Sequence, residues 1–190
     1  MFRLHCLLLL ITVGGLHAGI EISREKCQWR GAFYGDFSKC DGDEITVGAC
    51  GSGKSSDCGE NMWTSVYCCA FEGFYYGNCE LQSSVEYGVP LSCIEDNVSA
   101  HIAEAMCGSG TRQDCQGYSH RTECCEGHVN GELVGSSGQC AWKYTHNWGE
   151  QLVCGRSDEA VMGICGSGGD RDCPGDSSHG ILCCELVLLQ

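Results

Sequence analysis

The chain has 190 residues, with 11 Lys and Arg against 25 Asp and Glu for a formal charge of −14, and it combines 28 Gly with 19 Cys and two Pro. So acidic a balance excludes nucleic acid and anionic membrane surfaces as partners, since like charges repel. The cysteine density points instead to a disulfide framework built in an oxidising compartment.

Met1 to Ala18 reads as a secretory signal peptide: Arg3 and His5 precede the apolar run Leu7 to Val13, small residues follow, and cleavage is expected after Ala18. That run is half the ~20 apolar residues needed to span a bilayer. The mature chain, 19–190, is therefore expected to be secreted and extracellular, without membrane insertion. Cleavage removes Arg3, taking the charge from −14 to −15, and removes Cys6, leaving 18 cysteines.

Those cysteines form three copies of one pattern. The first, 27–69, holds Cys27, Cys40, Cys50, Cys58, Cys68 and Cys69. The second, 79–125, holds Cys79, Cys93, Cys107, Cys115, Cys124 and Cys125. The third, 140–184, holds Cys140, Cys154, Cys165, Cys173, Cys183 and Cys184. In each copy Gly-Ser-Gly follows the third cysteine and an Asp (Asp57, Asp114, Asp172) precedes the fourth, so the chain is a tandem array. Six cysteines allow 15 pairings. Consecutive strand residues point to opposite faces, so the adjacent pair closing each copy is not bonded to itself, which leaves 12 pairings and no sequence criterion among them. Copies this small bury too little apolar surface to stand alone. The three are expected to share one disulfide-rich domain.

Within each copy a β-rich stretch leads to the third cysteine: Glu44 to Cys50 sets Ile45, Val47 and Ala49 on one face, and Val98 to Cys107 and Ala160 to Cys165 correspond to it. His101 to Met106 has helical propensity, but the repeat alignment makes it a strand. A second strand closes on the cysteine pair, as in Thr64 to Cys69, with glycine-rich turns between. Each copy thus predicts at least a two-stranded hairpin with a long loop. The expected fold class is all-β, as three pseudo-symmetric disulfide-rich repeats.

Gly48 to Ser55 matches the phosphate-loop formula letter for letter. That chemistry needs a strand, free amides and then a helix, whereas here a disulfide cysteine sits inside the loop and no helix follows. Asp57, Asp114 and Asp172 read as turn caps, one carboxylate per copy being too few to hold calcium. His120 and His179 occupy equivalent places four residues before the adjacent cysteines and read as structural. No catalytic constellation, metal site or cofactor is called for. Asn97-Val98-Ser99 is a glycosylation sequon.

Trp148-Gly149, Cys154, Val161-Met162-Gly163, the Gly166 to Asp170 turn and the closing Ile181 to Cys184 together resemble the vitelline membrane outer layer protein family. The resemblance covers all three copies. It implies three sheets arranged as the faces of a β-prism, a place in an egg's outer coat, and a sugar-related activity. This chain departs from that family in carrying six cysteines per copy and in lacking the Asp-Asp-Thr run after the glycine turn, so no residue-level activity is carried over.

The function expected is structural or binding, in an egg coat, mucus or matrix, with an extracellular glycan or matrix protein as partner. The residues that would form a ligand face are Trp29, Trp142 and Trp148 with the acidic pairs Asp43, Glu44, Asp158 and Glu159. Two other classes stand beside this one: a secreted enzyme acting on glycans, which needs two carboxylates across a groove, and a cysteine-rich effector that blocks a receptor or protease.

Overall fold

The computed structural model describes residues 20–51, 58–60, 62–94, 99–108, 115–166 and 171–189. The signal segment, Asp57, Asp114, Asn97 and most of each Gly-Ser-Gly turn lie outside them. Twelve strands and no helix occur among the described residues, and the sheets do not close into a barrel.

Each copy contributes three long antiparallel strands in the same spatial order, first, last, middle. These are β1 (Cys27–Ala32), β4 (Thr64–Ala70) and β3 (Glu44–Gly51); β5 (Phe74–Ser84), β8 (His120–Val129) and β7 (His101–Gly108); β9 (Glu132–Thr145), β12 (His179–Leu188) and β11 (Glu159–Gly166). The expected hairpin is therefore the inner part of a larger unit, because the stretch after each first cysteine is itself a strand. His101 to Met106 is extended, in β7, as the repeat alignment requires.

A two-residue arm then leaves each copy and adds a strand to another. β2 (Ser38–Lys39) pairs with β7, β6 (Leu91–Ser92) with β11, and β10 (Leu152–Val153) with β3. First to second, second to third, third to first: the exchange closes on itself. The amide of the cysteine after each arm continues it, Cys40 to the Glu104 carbonyl, Cys93 to Met162 and Cys154 to Val47. Glycine makes room for two of these arms. A Cβ on Gly48 would lie 2.5 Å from the Leu152 carbonyl oxygen, and one on Gly163 would lie 2.7 Å from that of Leu91.

The disulfides repeat with the strands. First pairs with sixth (Cys27–Cys69, Cys79–Cys125, Cys140–Cys184), second with fifth (Cys40–Cys68, Cys93–Cys124, Cys154–Cys183) and third with fourth (Cys50–Cys58, Cys107–Cys115, Cys165–Cys173). The members of each adjacent pair do take different partners, as strand alternation demands. The first-to-sixth bridges join residues directly opposite one another, with Cα atoms 4.0–4.1 Å apart, and the second-to-fifth bridges tie each departing arm back to its own sheet.

One register shift recurs in the middle strand of every copy, between Thr46 and Gly48, Ala103 and Ala105, and Val161 and Gly163. The bulged residues are Val47, Glu104 and Met162. Val47 and Met162 are fully buried, in a cluster with Ile45, Ile102, Ala160, Val134 and Leu186, which draws on all three copies. A second cluster gathers Ala49, Val66, Met106, Ile164 and Ile181 around the second-to-fifth bridges.

Tyr34-Gly35, Tyr87-Gly88 and Trp148-Gly149 precede the arms, and their glycines all have positive φ, 80°, 74° and 70°. An L side chain is strained there. The second and third copies are joined by the two-residue turn Asn130-Gly131, at φ 52° and 87°, the pattern of a tight hairpin.

Candidate functional site

Residues 20–26 run as a strap along one end of the sheets. Ile20 and Ile22 are buried in the cluster shared by the three copies, and the Ile22 amide donates to the Ser157 carbonyl at 2.7 Å. Arg24 donates to the carbonyls of Arg156 and Glu159. Alternation in an extended chain turns the residues between them the other way. Glu21 and Ser23 accordingly, with Glu25 from the turn that ends the strap, line a groove of about 710 Å³ whose remaining walls are Lys26, Asp43 and the β4–β5 turn, Ala70 to Gly73.

Backbone bonds fix that turn. Ala70 donates to the Lys26 carbonyl, Phe71 to that of Asp43 and Phe74 to that of Phe71, each at 3.0 Å. Phe71 stacks on Phe74 at 5.8 Å. The groove therefore offers four carboxylates, Glu21, Glu25, Asp43 and Glu72, beside one lysine and an aromatic ring. A smaller hollow of about 340 Å³, lined by Lys26, Cys27, Gln28, Glu44 and Ala70, adjoins it.

Of the residues the sequence singled out, Asp43 alone lines the groove itself. Glu44 is buried and gripped at both oxygens by Arg30, through Nε at 2.7 Å and Nη2 at 2.9 Å, while Gln28 and the Asp41 amide donate to it as well. Arg30 foremost holds the Glu44 carboxyl below the usual range, against its burial. Its counterpart Glu159 accepts the amides of Gly155 and Arg156 at 2.9 and 3.0 Å. Both carboxylates thus close the turn after the second cysteine. Asp158 is bound by Arg156, which also bridges to Glu185.

The tryptophans lie elsewhere. Trp29, on β1, stacks on Tyr67 at 4.8 Å, Trp142, on β9, stacks on Tyr144 at 5.5 Å, and Trp148 is half-buried ahead of β10. Tyr67 and Trp142 pack against the shared core.

His120 and His179 are buried, and each ring Nε2 meets at 2.7 Å the carbonyl two residues ahead of its own copy's arm, that of Val89 and of Glu150. Burial lowers both, His179 to about 4. They are structural pins. Three sulfur and carboxylate clusters, Cys40–Glu44–Cys68, Cys79–Glu104–Cys125 and Cys154–Glu159–Cys183, have the spread of a metal site, but in each the sulfurs are joined as a disulfide. One carboxylate remains, too few for a cation.

Glu21, Glu25, Phe71 and Glu72 escaped the sequence reading because they lie in the strap and the first linker, outside the six-cysteine pattern. The alternation Ile20-Glu21-Ile22-Ser23-Arg24-Glu25 was the available signal. No family model, curated protein or solved structure matches the chain.

Proposed function

We propose that this is a secreted protein of an extracellular coat, mucus or matrix, structural or binding in role, and that its ligand is carbohydrate, held in the groove between the strap and the β4–β5 turn. An all-β chain with nine disulfides, and with no helix among the described residues long and apolar enough to cross a membrane, is compatible with an extracellular protein. The single observation supporting carbohydrate is the lining of the groove. Carboxylates accept two hydroxyls apiece and an aromatic ring takes the apolar side of a sugar, the mixture of few directed polar groups and hydrophobic surface that small-ligand sites use. The closed exchange of arms supports a pseudo-threefold, prism-like placement of the sheets, in keeping with the family the sequence resembles.

The test is binding of the oxidised mature protein to a glycan array that includes chito-oligosaccharides, with a reduced and alkylated sample as control. Asp43→Asn and Glu72→Gln should each weaken a selective signal that reduction abolishes. Absence of binding to every glycan would sink the reading. A second reading, glycan hydrolysis, draws on the presence of more than one carboxylate in the groove; release of shorter sugars from a bound oligosaccharide, lost in Asp43→Asn, would replace binding by turnover.

A further inference from the structure

Two residues past the groove wall at Gly73, the face shared by β5, β7 and β8 carries a half-exposed aromatic ring. Tyr75 and His128 stand directly opposite one another with rings stacked at 4.8 Å and 6° between planes. Leu133 faces His128 from the other side, so Tyr75, His128 and Leu133 form one row across three strands. In the next row His101 lies opposite Glu126, and Gly77 and Asn78 bulge against it. Tyr75 remains 46 % exposed although His128 covers one side of its ring.

The polar atoms of this face gather at the Nε2 edge of His128, the ring on which Tyr75 stacks. Glu126 Oε2 accepts from Asn78 Nδ2 at 3.1 Å and lies 3.7 Å from His128 Nε2, while its Oε1 makes no hydrogen bond among the described residues. Glycine at position 77 keeps these atoms clear, since a Cβ there would come within 2.9 Å of His128 Nε2 and 3.0 Å of Glu126 Oε2. A half-exposed tyrosine ring stacked on His128, with Glu126 at that histidine's Nε2 and Asn78 bound to Glu126, offers the apolar surface and polar groups that suit a pyranose, which has an apolar C–H face and a rim of hydroxyls.

We propose that this face is a second carbohydrate subsite, taking one hexopyranose unit with its C–H face on Tyr75 and its hydroxyls on Glu126 and Asn78. The inference deepens the carbohydrate reading and rests on it. Two weak sites on one chain would reinforce each other on a polymeric glycan without either being tight.

The experiment compares wild type with Tyr75→Ala, Tyr75→Phe, Glu126→Gln and the control Leu81→Ser on the same glycan array, followed by titration with the strongest array glycan and a melting curve for each protein. Tyr75→Ala should weaken binding by about tenfold, the loss of one stacking contact, and Glu126→Gln should weaken it by about threefold, for a charged acceptor replaced by a neutral one. Tyr75→Phe keeps the ring and Leu81→Ser alters the same strand elsewhere, so both should stay within about twofold of wild type. If Tyr75→Ala fails to fold, aromatic NMR of wild type takes its place, with the Tyr75 ring signals moving on titration. Wild-type affinity in folded Tyr75→Ala, or unmoved Tyr75 signals while the glycan binds, overturns this subsite and leaves the groove. No glycan bound by wild type overturns both.

Discussion

Glu104 is the charged exception at a position where the other copies bury Val47 and Met162, and replacing its partner Lys39 tests what holds the arms in place. Glu104 is 5 % exposed, and its carboxylate is 3.0 Å from Lys39 Nζ, which reaches it from the arm donated by the first copy and also lies 3.0 Å from Glu123. At an effective dielectric of 20, contact at this range is worth about 5–6 kcal/mol before desolvation. The Lys39 side chain is 49 % exposed, so solvent screens much of that. We expect Lys39→Met to cost about 1–2 kcal/mol at pH 7, or roughly 3–6 °C in melting temperature for a chain of this size.

The sign of the pH dependence separates this account from simple loss of packing. Burial first of all raises the Glu104 carboxyl above its ordinary 4.5, Lys39 opposing it. A raised carboxyl favours the folded state most when protonated, so that stability is complete below 4.5 and is lost as pH climbs through the folded value. Removing Lys39 enlarges the loss at pH 7 and leaves nothing to lose at pH 3. Glu104→Met, which installs the third copy's residue, should be neutral or stabilising by about 1 kcal/mol, and adding Lys39→Met to it should cost little further. Calorimetry of the four proteins at pH 7 and pH 3 decides. An equal drop for Lys39→Met at both pH values, or the same drop in the Glu104→Met background, would refute the reasoning.

His179 should set an acid limit. Its folded value of about 4 lies below the ordinary 6.5, so the stability it contributes is complete above 6.5 and is lost as pH falls toward 4, amounting to about 3 kcal/mol; His179→Thr, the residue of the first copy, should flatten the melting temperature across that window. Gly88→Ala should be severe, at about 2 kcal/mol or more, because φ is 74° and a Cβ would lie 2.1 Å from the Asp172 carbonyl oxygen; chemical denaturation would show it, and a variant as stable as wild type would contradict that contact. Among the bridges, Cys27–Cys69 spans 42 residues and Cys50–Cys58 spans 8, so paired Ser substitution should cost about 4 kcal/mol for the first and about 2.5 for the second on the chain-entropy account. Equal losses would argue against that account.

The strands, their class and the separate partners of the adjacent cysteines were legible because each rests on a local rule applied three times over. Which of the 12 pairings forms was not legible, since it depends on Cys27 facing Cys69 across β1 and β4, and register comes from the whole sheet. The arms were hidden for a similar reason. No residue type is common to all three of Ser38-Lys39, Leu91-Ser92 and Leu152-Val153, and what makes them strands is the neighbour's edge, with Gly48 and Gly163 admitting two of them. Within the acidic pairs, spacing cannot distinguish a groove-lining carboxylate such as Asp43 from one like Glu44, whose acceptors are already filled by Arg30 and by the turn it closes.

The closed exchange of arms bears on why three copies of one cysteine pattern carry distinct residues at the bulge. With identical residues, any copy could donate its arm to any other, or to another chain, and the ring would have no preferred closure. Here each junction differs. Lys39 meets Glu104 where the first arm reaches the second copy, Leu91 lies on Gly163 at the next junction, and Leu152 and Val153 pack on Gly48 at the last. Leu152 or Val153 placed against Glu104 would leave that carboxylate without its lysine, at a cost of the order expected for Lys39→Met, and Lys39 placed on the third copy would find neither Glu104 nor Glu123 to meet it. The buried ion pair is thus of little use for stability and of more use for order, since it admits one sequence of copies around the ring.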